Sequence, residues 1–250
     1  GRARLGAMTQ PILLIADLHL DPSRPAVTRT LQRFLEREAP GAAALYILGD
    51  LFEAWVGDDA VRGDEPEIAA LRSAAEAAPL YIMPGNRDFL LGERFAELTG
   101  AQLLPDPSVT EIHGDPALLM HGDSLCTDDE EYMAFRATVR DPAWQAQFLA
   151  LSVEERLAQA RQARSTSAER GQALDEATMD VTGAAVDAAV AEHGARWLIH
   201  GHTHRPGVHE LDTPFGPGQR YVLGDWFEQG SVLRCLPEEW RLEALPLEAE

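Results

Sequence analysis

Short apolar runs that alternate with helical segments constrain the fold of this chain more than any other feature. Four such runs lie at residues 12–16, 44–48, 80–83 and 197–199. Runs of this length without polar residues are typical of strands that are buried on both faces. Residues 26–38 and 67–78, between the first three runs, have the spacing or composition of helices. The alternation predicts βαβ units and a largely parallel sheet, and therefore an α/β fold.

Metal-binding types of side chain follow the ends of these runs and of a further predicted strand at residues 117–120. They are Asp17, His19, Asp50, Asn86, His121, His202 and His204. One of them alone would be explained by the turn preferences of Asp and Asn or by an ordinary surface histidine. Ligands gather at the carboxyl ends of parallel strands, however, and all seven residues lie just beyond such ends. The sequence therefore predicts one functional site at this edge of the sheet.

The mixture of carboxylate, imidazole and amide groups indicates divalent metal ions. It suits Mn²⁺, Fe²⁺, Co²⁺ or Zn²⁺, and the lack of cysteine ligands argues against a structural zinc site. Seven groups are too many for one ion, but they suit two ions that share a carboxylate. Two ions roughly 3.5–4 Å apart can activate water and stabilise both oxygens of an in-line phosphoryl displacement.

From His121 to His200 the chain is predicted to be mostly helical, and after Arg205 mostly strand. An arginine cluster at Arg156, Arg161, Arg164 and Arg170 reverses the local charge, and either a solvated helix face or an anion site would explain it. The short segments after Arg205 are expected to form antiparallel strands in a second sheet.

The overall charge narrows the classes of partner. The formal net charge is −20, so the chain should repel nucleic acid, and we expect no nucleic-acid partner. Two cysteines without CxxC spacing are typical of a reducing, cytoplasmic setting. Residues 1–7 precede a Met and are interpreted as an expression scar, and residues 8–250 as one domain that acts as a monomer.

Five motifs in order resemble those of the calcineurin-like metallophosphoesterases. They are Asp17-Leu18-His19, Gly49-Asp50, Gly85-Asn86-Arg87-Asp88, His121 and Gly201-His202-Thr203-His204. The resemblance implies a sandwich of two mixed β-sheets flanked by helices. It also implies that Asp17, His19, Asp50 and His204 bind one metal ion. Asp50, Asn86, His121 and His202 would bind the other, with Asp50 as the bridge and Mn²⁺ as the expected ion.

The sequence around these motifs is similar to one branch of that family. This branch hydrolyses the pyrophosphate bond of UDP-2,3-diacylglucosamine, which gives 2,3-diacylglucosamine 1-phosphate (lipid X) and UMP in lipid A biosynthesis. The resemblance implies a glycolipid nucleotide substrate and a helical lid, at about residues 128–177, that holds the acyl chains. It also implies transient peripheral contact with the cytoplasmic face of the inner membrane.

Several residues near the motifs suit this substrate. Arg87 can offer two donors to a phosphate oxygen, and Asp129 can accept hydrogen bonds from the sugar. Asn86 and His202 are expected to touch the substrate as well as a metal ion, and Arg164 and Ser167 on the lid would bind the sugar phosphate. Gly171 and Leu174 depart from the family pattern, which carries a basic or amide residue a few positions after this serine.

Two other interpretations remain at this stage. A general phosphoesterase for small polar substrates would have the same metal site but would not need the aromatic lid residues. A scaffold that has lost catalysis would be expected to lack ligands, and none is missing. A nuclease is opposed by the charge.

Overall fold

The structure is a computed structural model that describes residues 10–171, 178 and 180–248, without the side chains of residues 167–171. The strands are β1 Ile12–Ile15, β2 Ala44–Leu48, β3 Leu80–Met83, β4 Gln102–Leu103, β5 Ser108–Ile112, β6 Asp115–Leu119, β7 Trp197–His200, β8 Gly207–Thr213, β9 Gly216–Val222, β10 Gln229–Cys235 and β11 Trp240–Pro246. The α-helices are α1 Pro25–Glu38, α2 Pro66–Ala77, α3 Glu93–Thr99, α4 Glu130–Val139, α5 Pro142–Leu149, α6 Val153–Gly171 and α7 Gly183–His193. The predicted expression scar lies outside the described residues.

Two mixed sheets carry the fold. The first has the order β11-β10-β1-β2-β3-β4, in which β1 to β4 are parallel and β10 pairs antiparallel with β1. The second has the order β5-β6-β7-β9-β8, in which β6, β7 and β9 are parallel and each edge strand is antiparallel to its neighbour. The predicted α/β sandwich of two mixed sheets flanked by helices is confirmed.

The strands of the first sheet are buried on both faces because each face packs against a different layer. Leu13 and Ile15 of β1 face the helices α1 and α2, where they join a core that includes Phe34. Ile12 and Leu14 point the other way and pack with residues of the second sheet. This alternation is the pleat of a strand, and it explains why the runs contain no polar residue. Helix α7 covers the outer face of the second sheet.

The expectation that all strands after Arg205 form a second sheet is wrong for β10 and β11. These two strands extend the first sheet, with Ile12 opposite Cys235 and Cys235 opposite Trp240. The expectation of antiparallel pairing is also wrong for one contact of β9, which runs parallel to β7. The alternating pattern identifies these segments as strands, but it carries no information on which sheet edge they join.

The predicted lid consists of α4, α5 and the long helix α6. Asp129 and Asp141 cap α4 and α5 by accepting hydrogen bonds from backbone N–H groups of the first helical turn. Trp144 and Phe148 on α5 pack against the core beneath. No helix in the described part of the chain is long and apolar enough to cross a membrane.

Candidate metal centre

The loops after β1, β2, β3, β6 and β7 meet at one end of the two sheets. Backbone hydrogen bonds join neighbouring loops: Asp17 N donates to the Gly49 carbonyl at 3.1 Å, and Gly201 N donates to the His121 carbonyl at 2.8 Å. These bonds continue the strand pairing past the last residue of each strand. They bring side chains that are far apart in the sequence into one cluster.

The first group of possible metal ligands consists of Asp17, His19 and His204. Each offers one donor atom, and the three atoms all lie within 4.8 Å of one another. His204 Nε2 is 3.6 Å from Asp17 Oδ1 and 3.2 Å from His19 Nε2. Asp17 and His19 are buried, so that little solvent competes for these atoms.

The second group consists of Asp50, His121 and His202, whose donor atoms also lie within 4.8 Å of one another. The Asn86 side chain completes it, because Asn86 Oδ1 is 2.8 Å from His121 Nε2 and 2.9 Å from His202 Nδ1. An amide oxygen that faces two imidazole nitrogens is a geometry that suits a shared cation.

Asp50 lies between the two groups. Its Oδ2 is 3.8 Å from His19 Nε2, and its Oδ1 is 3.6 Å from His121 Nε2. One carboxylate therefore directs an oxygen toward each group, which is the geometry that a bridging ligand requires.

Backbone strain is concentrated at this site. In the described residues, six residues other than glycine have a positive φ, and five of them are predicted ligands: Asp17, His19, Asp50, His202 and His204. Such conformations are uncommon for residues with a Cβ and persist where the surrounding structure holds them, frequently at functional sites. The strain therefore supports, independently of the motifs, the interpretation of these loops as a functional site.

Two glycines permit the close approach of the loops. A Cβ atom on Gly85 would lie 2.2 Å from Asp50 Oδ1, and one on Gly201 would lie 2.3 Å from Asp17 Oδ2. Both distances are far below van der Waals contact. Glycine is therefore required next to Asn86 and His202 so that these residues can reach the carboxylates.

Burial and neighbouring charges shift the pKa values of several side chains in the site. Burial opposes the charge of His121, but the carboxylates of Asp50, Asp123 and Asp17 outweigh it and raise the pKa of His121 to about 9. Burial lowers the pKa of His202 to about 4, with the charge of His121 acting in the same direction. Burial also opposes the charge of Asp17, yet its interaction with His204 and the charges of His121 and His19 hold the Asp17 pKa below its usual value.

Several potential ligand atoms of the first group lack a suitable hydrogen-bond partner in the described part of the protein. Asp17 Oδ1 is buried and has no hydrogen-bond partner among the described residues. Two imidazole nitrogens face each other across 3.2 Å at His19 and His204, where at most one can donate a hydrogen bond to the other. A cation between such atoms would use the lone pairs that the protein leaves unmatched.

Two acidic residues that the sequence analysis did not select orient histidines of the first group. Glu53 Oε2 is 2.8 Å from His19 Nδ1, and Asp225 Oδ2 is 3.2 Å from His204 Nδ1. A carboxylate on the second ring nitrogen fixes the tautomer and raises the basicity of a ligating histidine. Both residues lie in segments that carry the family resemblance, but only the fold brings them to the histidines.

An apolar cavity of about 520 Å³ reaches the second group of ligands. Asn86 and Arg87 line its end at the metal centre, and aromatic residues of the predicted lid line its walls: Tyr132, Phe135, Trp144 and Phe148. A cavity of this size is within the range of small-molecule sites, which is about 300–1,000 Å³. The lid helices therefore enclose an apolar volume directly beside the metal centre.

The four predicted substrate residues lie in different environments. Arg87 lines the cavity, and its backbone N donates to Asp50 Oδ1 at 2.8 Å. Arg164 also lines the cavity, with Nε 3.0 Å from Glu53 Oε1. Asp129 caps α4 by accepting a hydrogen bond from Tyr132 N. The side chain of Ser167 lies outside the described residues, as does Leu174, and Gly171 is the last residue of α6.

One arginine of the cluster that the sequence shows, Arg156, has a structural role. Arg156 is 2% exposed, donates to the Val56 carbonyl and pairs with Asp59. It thereby joins helix α6 to the loop after β2. For Arg156, the interpretation as a solvated helix face is therefore wrong.

The other histidines lie outside the two groups. His200 is buried between the Gly201 carbonyl and Arg220, and burial lowers its pKa to about 4. His113 and His193 contact backbone carbonyls, and His209 is exposed on β8.

Burial raises the pKa of the Cys126 thiol to about 12, which keeps this residue protonated at neutral pH and argues against a nucleophilic role.

Comparison with known proteins identifies the family. The calcineurin-like phosphoesterase family matches residues 10–206. A UDP-2,3-diacylglucosamine hydrolase of Xanthomonas campestris pv. campestris is 50% identical over 244 residues, which are 94% of this chain and 99% of that protein. One of Stenotrophomonas maltophilia is 51% identical over 245 residues, with the same coverage. The phosphoesterase Yfce from E. coli aligns with a TM-score of 0.43 at 15% identity, over 95% of this chain and 100% of Yfce. The chain therefore belongs to the calcineurin-like phosphoesterase family, in the branch represented by these UDP-2,3-diacylglucosamine hydrolases.

Proposed function

We propose that this enzyme hydrolyses the pyrophosphate bond of UDP-2,3-diacylglucosamine to give 2,3-diacylglucosamine 1-phosphate (lipid X) and UMP, a step of lipid A biosynthesis. The observation that carries the proposal is the apolar cavity that reaches the second of two neighbouring groups of possible metal ligands. The names of relatives that are half identical over nearly the whole chain support the same substrate.

Two divalent ions are the cofactors in this proposal. Asp17, His19, Asp50 and His204 hold one of them, and Asp50, Asn86, His121 and His202 hold the other. Mn²⁺ suits a donor set of carboxylate, imidazole and amide without thiolate. When bound, the pair supplies an activated water and stabilises the charge of an in-line phosphoryl displacement.

The polar residues of the chain orient the diphosphate. Arg87 lies at the end of the cavity nearest Asn86, where its guanidinium can donate two hydrogen bonds to one phosphate group. Glu53 and Asp225 fix the rings of His19 and His204. Asn86 and His202 face the phosphate as well as the second ion. The reacting phosphorus is thus positioned by groups that the fold already holds in place.

The lid binds the lipid half. Each CH₂ of an acyl chain that leaves water contributes about 0.8 kcal/mol, so even partly buried chains dominate recognition. Arg164 and Ser167 bind the sugar phosphate, and Asp129 accepts a hydrogen bond from the sugar. Arg164 holds Glu53 through Nε, which leaves other donors of its guanidinium for an anion.

The substrate requires contact with a membrane surface. In this proposal the enzyme is a monomer that acts as a peripheral protein on the cytoplasmic face of the inner membrane. Phe135, Leu149 and Leu157 support this placement, because these large apolar side chains lie exposed on the three lid helices. They are three of the seven large apolar side chains that are exposed in the described part of the chain.

The test compares two substrates. Shortening the acyl chains, or replacing Phe135 with Ser, should lower kcat/KM for the lipid nucleotide by orders of magnitude, because both remove apolar contact in the cavity. Hydrolysis of bis(4-nitrophenyl) phosphate, which has no acyl chain, should change little when Phe135 is replaced. Phe215→Ser, at an exposed residue between β8 and β9, is the control. Equal losses on both substrates would favour a general phosphoesterase instead.

A further inference from the structure

A second cavity, of about 480 Å³, lies on the other side of His204 and has a different chemistry. Its lining includes His204, Asp225, Phe227, Glu228, Gln229 and Glu243. Carboxylate and amide groups make it more polar than the lid cavity, which is lined mainly by apolar and aromatic side chains. We call it the polar groove. It reaches the metal centre at the first group of ligands, while Asn86 and Arg87 bring the lid cavity to the second group.

Phe227 is the distinctive side chain of the polar groove. It is 47% exposed, although its ring lies beside the metal centre. The ring centroid is 5.4 Å from that of His19, with the planes 15° apart, and 5.5 Å from that of His204. The guanidinium carbon of Arg24 lies 4.4 Å from the same centroid. Phe227 is thus an aromatic surface held in a fixed position, with an exposed part that lines the groove.

We propose that the polar groove binds the nucleoside half of the substrate, with the pyrimidine base packed against Phe227. The inference rests on the proposed function, in which one diphosphate joins a lipid half to a nucleoside half. The lipid half occupies the lid cavity, so the nucleoside must leave the metal centre by another path. The polar groove provides that path at His204.

The chemistry of the groove matches an uncharged nucleoside. Aromatic side chains bind bases by stacking or edge-to-face contact, and they do so without a charge on the ligand. Glu228 is exposed and has no hydrogen-bond partner in the described residues, so it can accept hydrogen bonds from ribose hydroxyls. Carboxylates suit such donors and would repel a further phosphate group in the groove. The phosphate of the nucleotide is therefore directed toward the metal centre.

The test measures the contribution of the base by isothermal titration calorimetry on the manganese-loaded enzyme. The two ligands are UMP and ribose 5-phosphate, which share the ribose and the phosphate, with a hydroxyl in place of the base in the second. The wild-type enzyme should bind UMP at least about tenfold more tightly, as expected for one base–aromatic contact. In Phe227→Ala the ratio of the two dissociation constants should fall to within about twofold. Phe227→Trp should keep the preference, and so should the control Phe215→Ala, at a residue that is 50% exposed elsewhere.

Either of two results would overturn the nucleoside site. One is a wild-type enzyme that binds the two ligands equally, and the other is a Phe227→Ala variant that keeps the wild-type preference. Metal content is measured in each variant, and Phe227→Leu replaces Phe227→Ala if the latter does not fold or loses metal. A failure of the proposed function is distinguishable, because it would be seen as absent hydrolysis of the lipid nucleotide whatever the UMP preference.

Discussion

At the scale of single residues, the Asp50 side chain makes several contacts of the site at once. Its side chain is buried, each oxygen faces a different group of ligands, and its Oδ1 also accepts a hydrogen bond from the Arg87 backbone. A second buried carboxylate lies nearby in Asp88, where burial and the charge of Asp50 raise the pKa to about 6. The negative charge of Asp50 is therefore held in an environment that favours a compensating cation.

Replacement of Asp50 with Asn tests its bridging role. The amide keeps the shape but removes the charge that both ions share, so the variant should lose at least one metal ion per protein. Turnover should fall at least about 10²–10³-fold, the range seen when one transition-state stabilising group is lost. Elemental analysis and the hydrolysis rate measure the two effects, with the exposed Asp212→Asn as control. A variant with two bound ions and full activity would refute the bridge.

At the scale of secondary-structure elements, the long helix α6 is joined to the loop after β2 by two arginines: the buried Arg156 contacts Val56 and Asp59, and Arg164 contacts Glu53. Arg156 carries its charge among buried atoms and is matched there by Asp59 and the Val56 carbonyl. Arg164 contacts Glu53, which in turn contacts His19. Helix α6, which lines the lid cavity, therefore has polar connections to the loop that orients His19, a proposed metal ligand.

Replacement of Arg156 with Met should loosen this attachment. The variant leaves the Val56 carbonyl and Asp59 without their partner, which costs about 1–3 kcal/mol for charged hydrogen bonds. Arg161, an exposed residue of the same helix, is the matched control, and its replacement should change the free energy of unfolding by less than about 0.5 kcal/mol. Urea denaturation compares the two variants. Equal effects would show that the contacts of Arg156 with Val56 and Asp59 do not anchor the helix.

The exposed apolar residues of the lid helices lead to a prediction about membrane contact. Phe135, Leu149 and Leu157 should bury in a lipid surface, so changing all three to Ser should lower the fraction of enzyme that sediments with phosphatidylethanolamine–phosphatidylglycerol vesicles several-fold. The matched control changes three similarly exposed residues away from the lid: Val109 on β5, Val208 on β8 and Phe215 in the turn between β8 and β9. If the control weakens sedimentation as much, the lid is not the membrane-contacting surface.

At the scale of the whole molecule, charge decides how the protein responds to pH and to metal. The chain has 41 acidic and 21 basic residues, and several buried carboxylates surround His121. Without metal, these carboxylates favour the protonated imidazole. With metal, the ligand must be neutral, so that binding releases a proton. The same carboxylates therefore stabilise either a proton or a metal ion, but not both at His121.

The metal-free protein should lose stability between pH 6.5 and about 9. The folded-state pKa of His121 is raised above the unfolded value of 6.5, so its contribution is fully present below pH 6.5 and is lost as the pH rises through about 9. Manganese binding should strengthen over the same range, because the proton to be displaced becomes easier to remove. Calorimetric Tm values with EDTA and with Mn²⁺ measure both trends. A metal-free Tm that rises over this range would contradict the assignment.

Much of the site was predictable because its position depends on local sequence. The runs at residues 12–16, 44–48 and 80–83 are apolar throughout, and the structure forms strands at Ile12–Ile15, Ala44–Leu48 and Leu80–Met83. Because the carboxyl ends of parallel strands share one edge of a sheet, the residues just beyond them were expected to meet. The two groups of donor atoms lie at that edge.

The tertiary structure alone decided the contacts between distant segments. Strand β10 pairs with β1 across more than two hundred residues, Glu53 and Asp225 orient histidines, and Phe227 lies against His19. None of these contacts is visible as a pattern in the sequence. The alternation of a strand does not specify which strand it pairs with, and a single carboxylate or aromatic residue does not specify which side chain it will contact. Local sequence thus determined which segments form strands and which residues end them. Packing between the sheets determined which side chains complete the metal centre and shape the two cavities beside it.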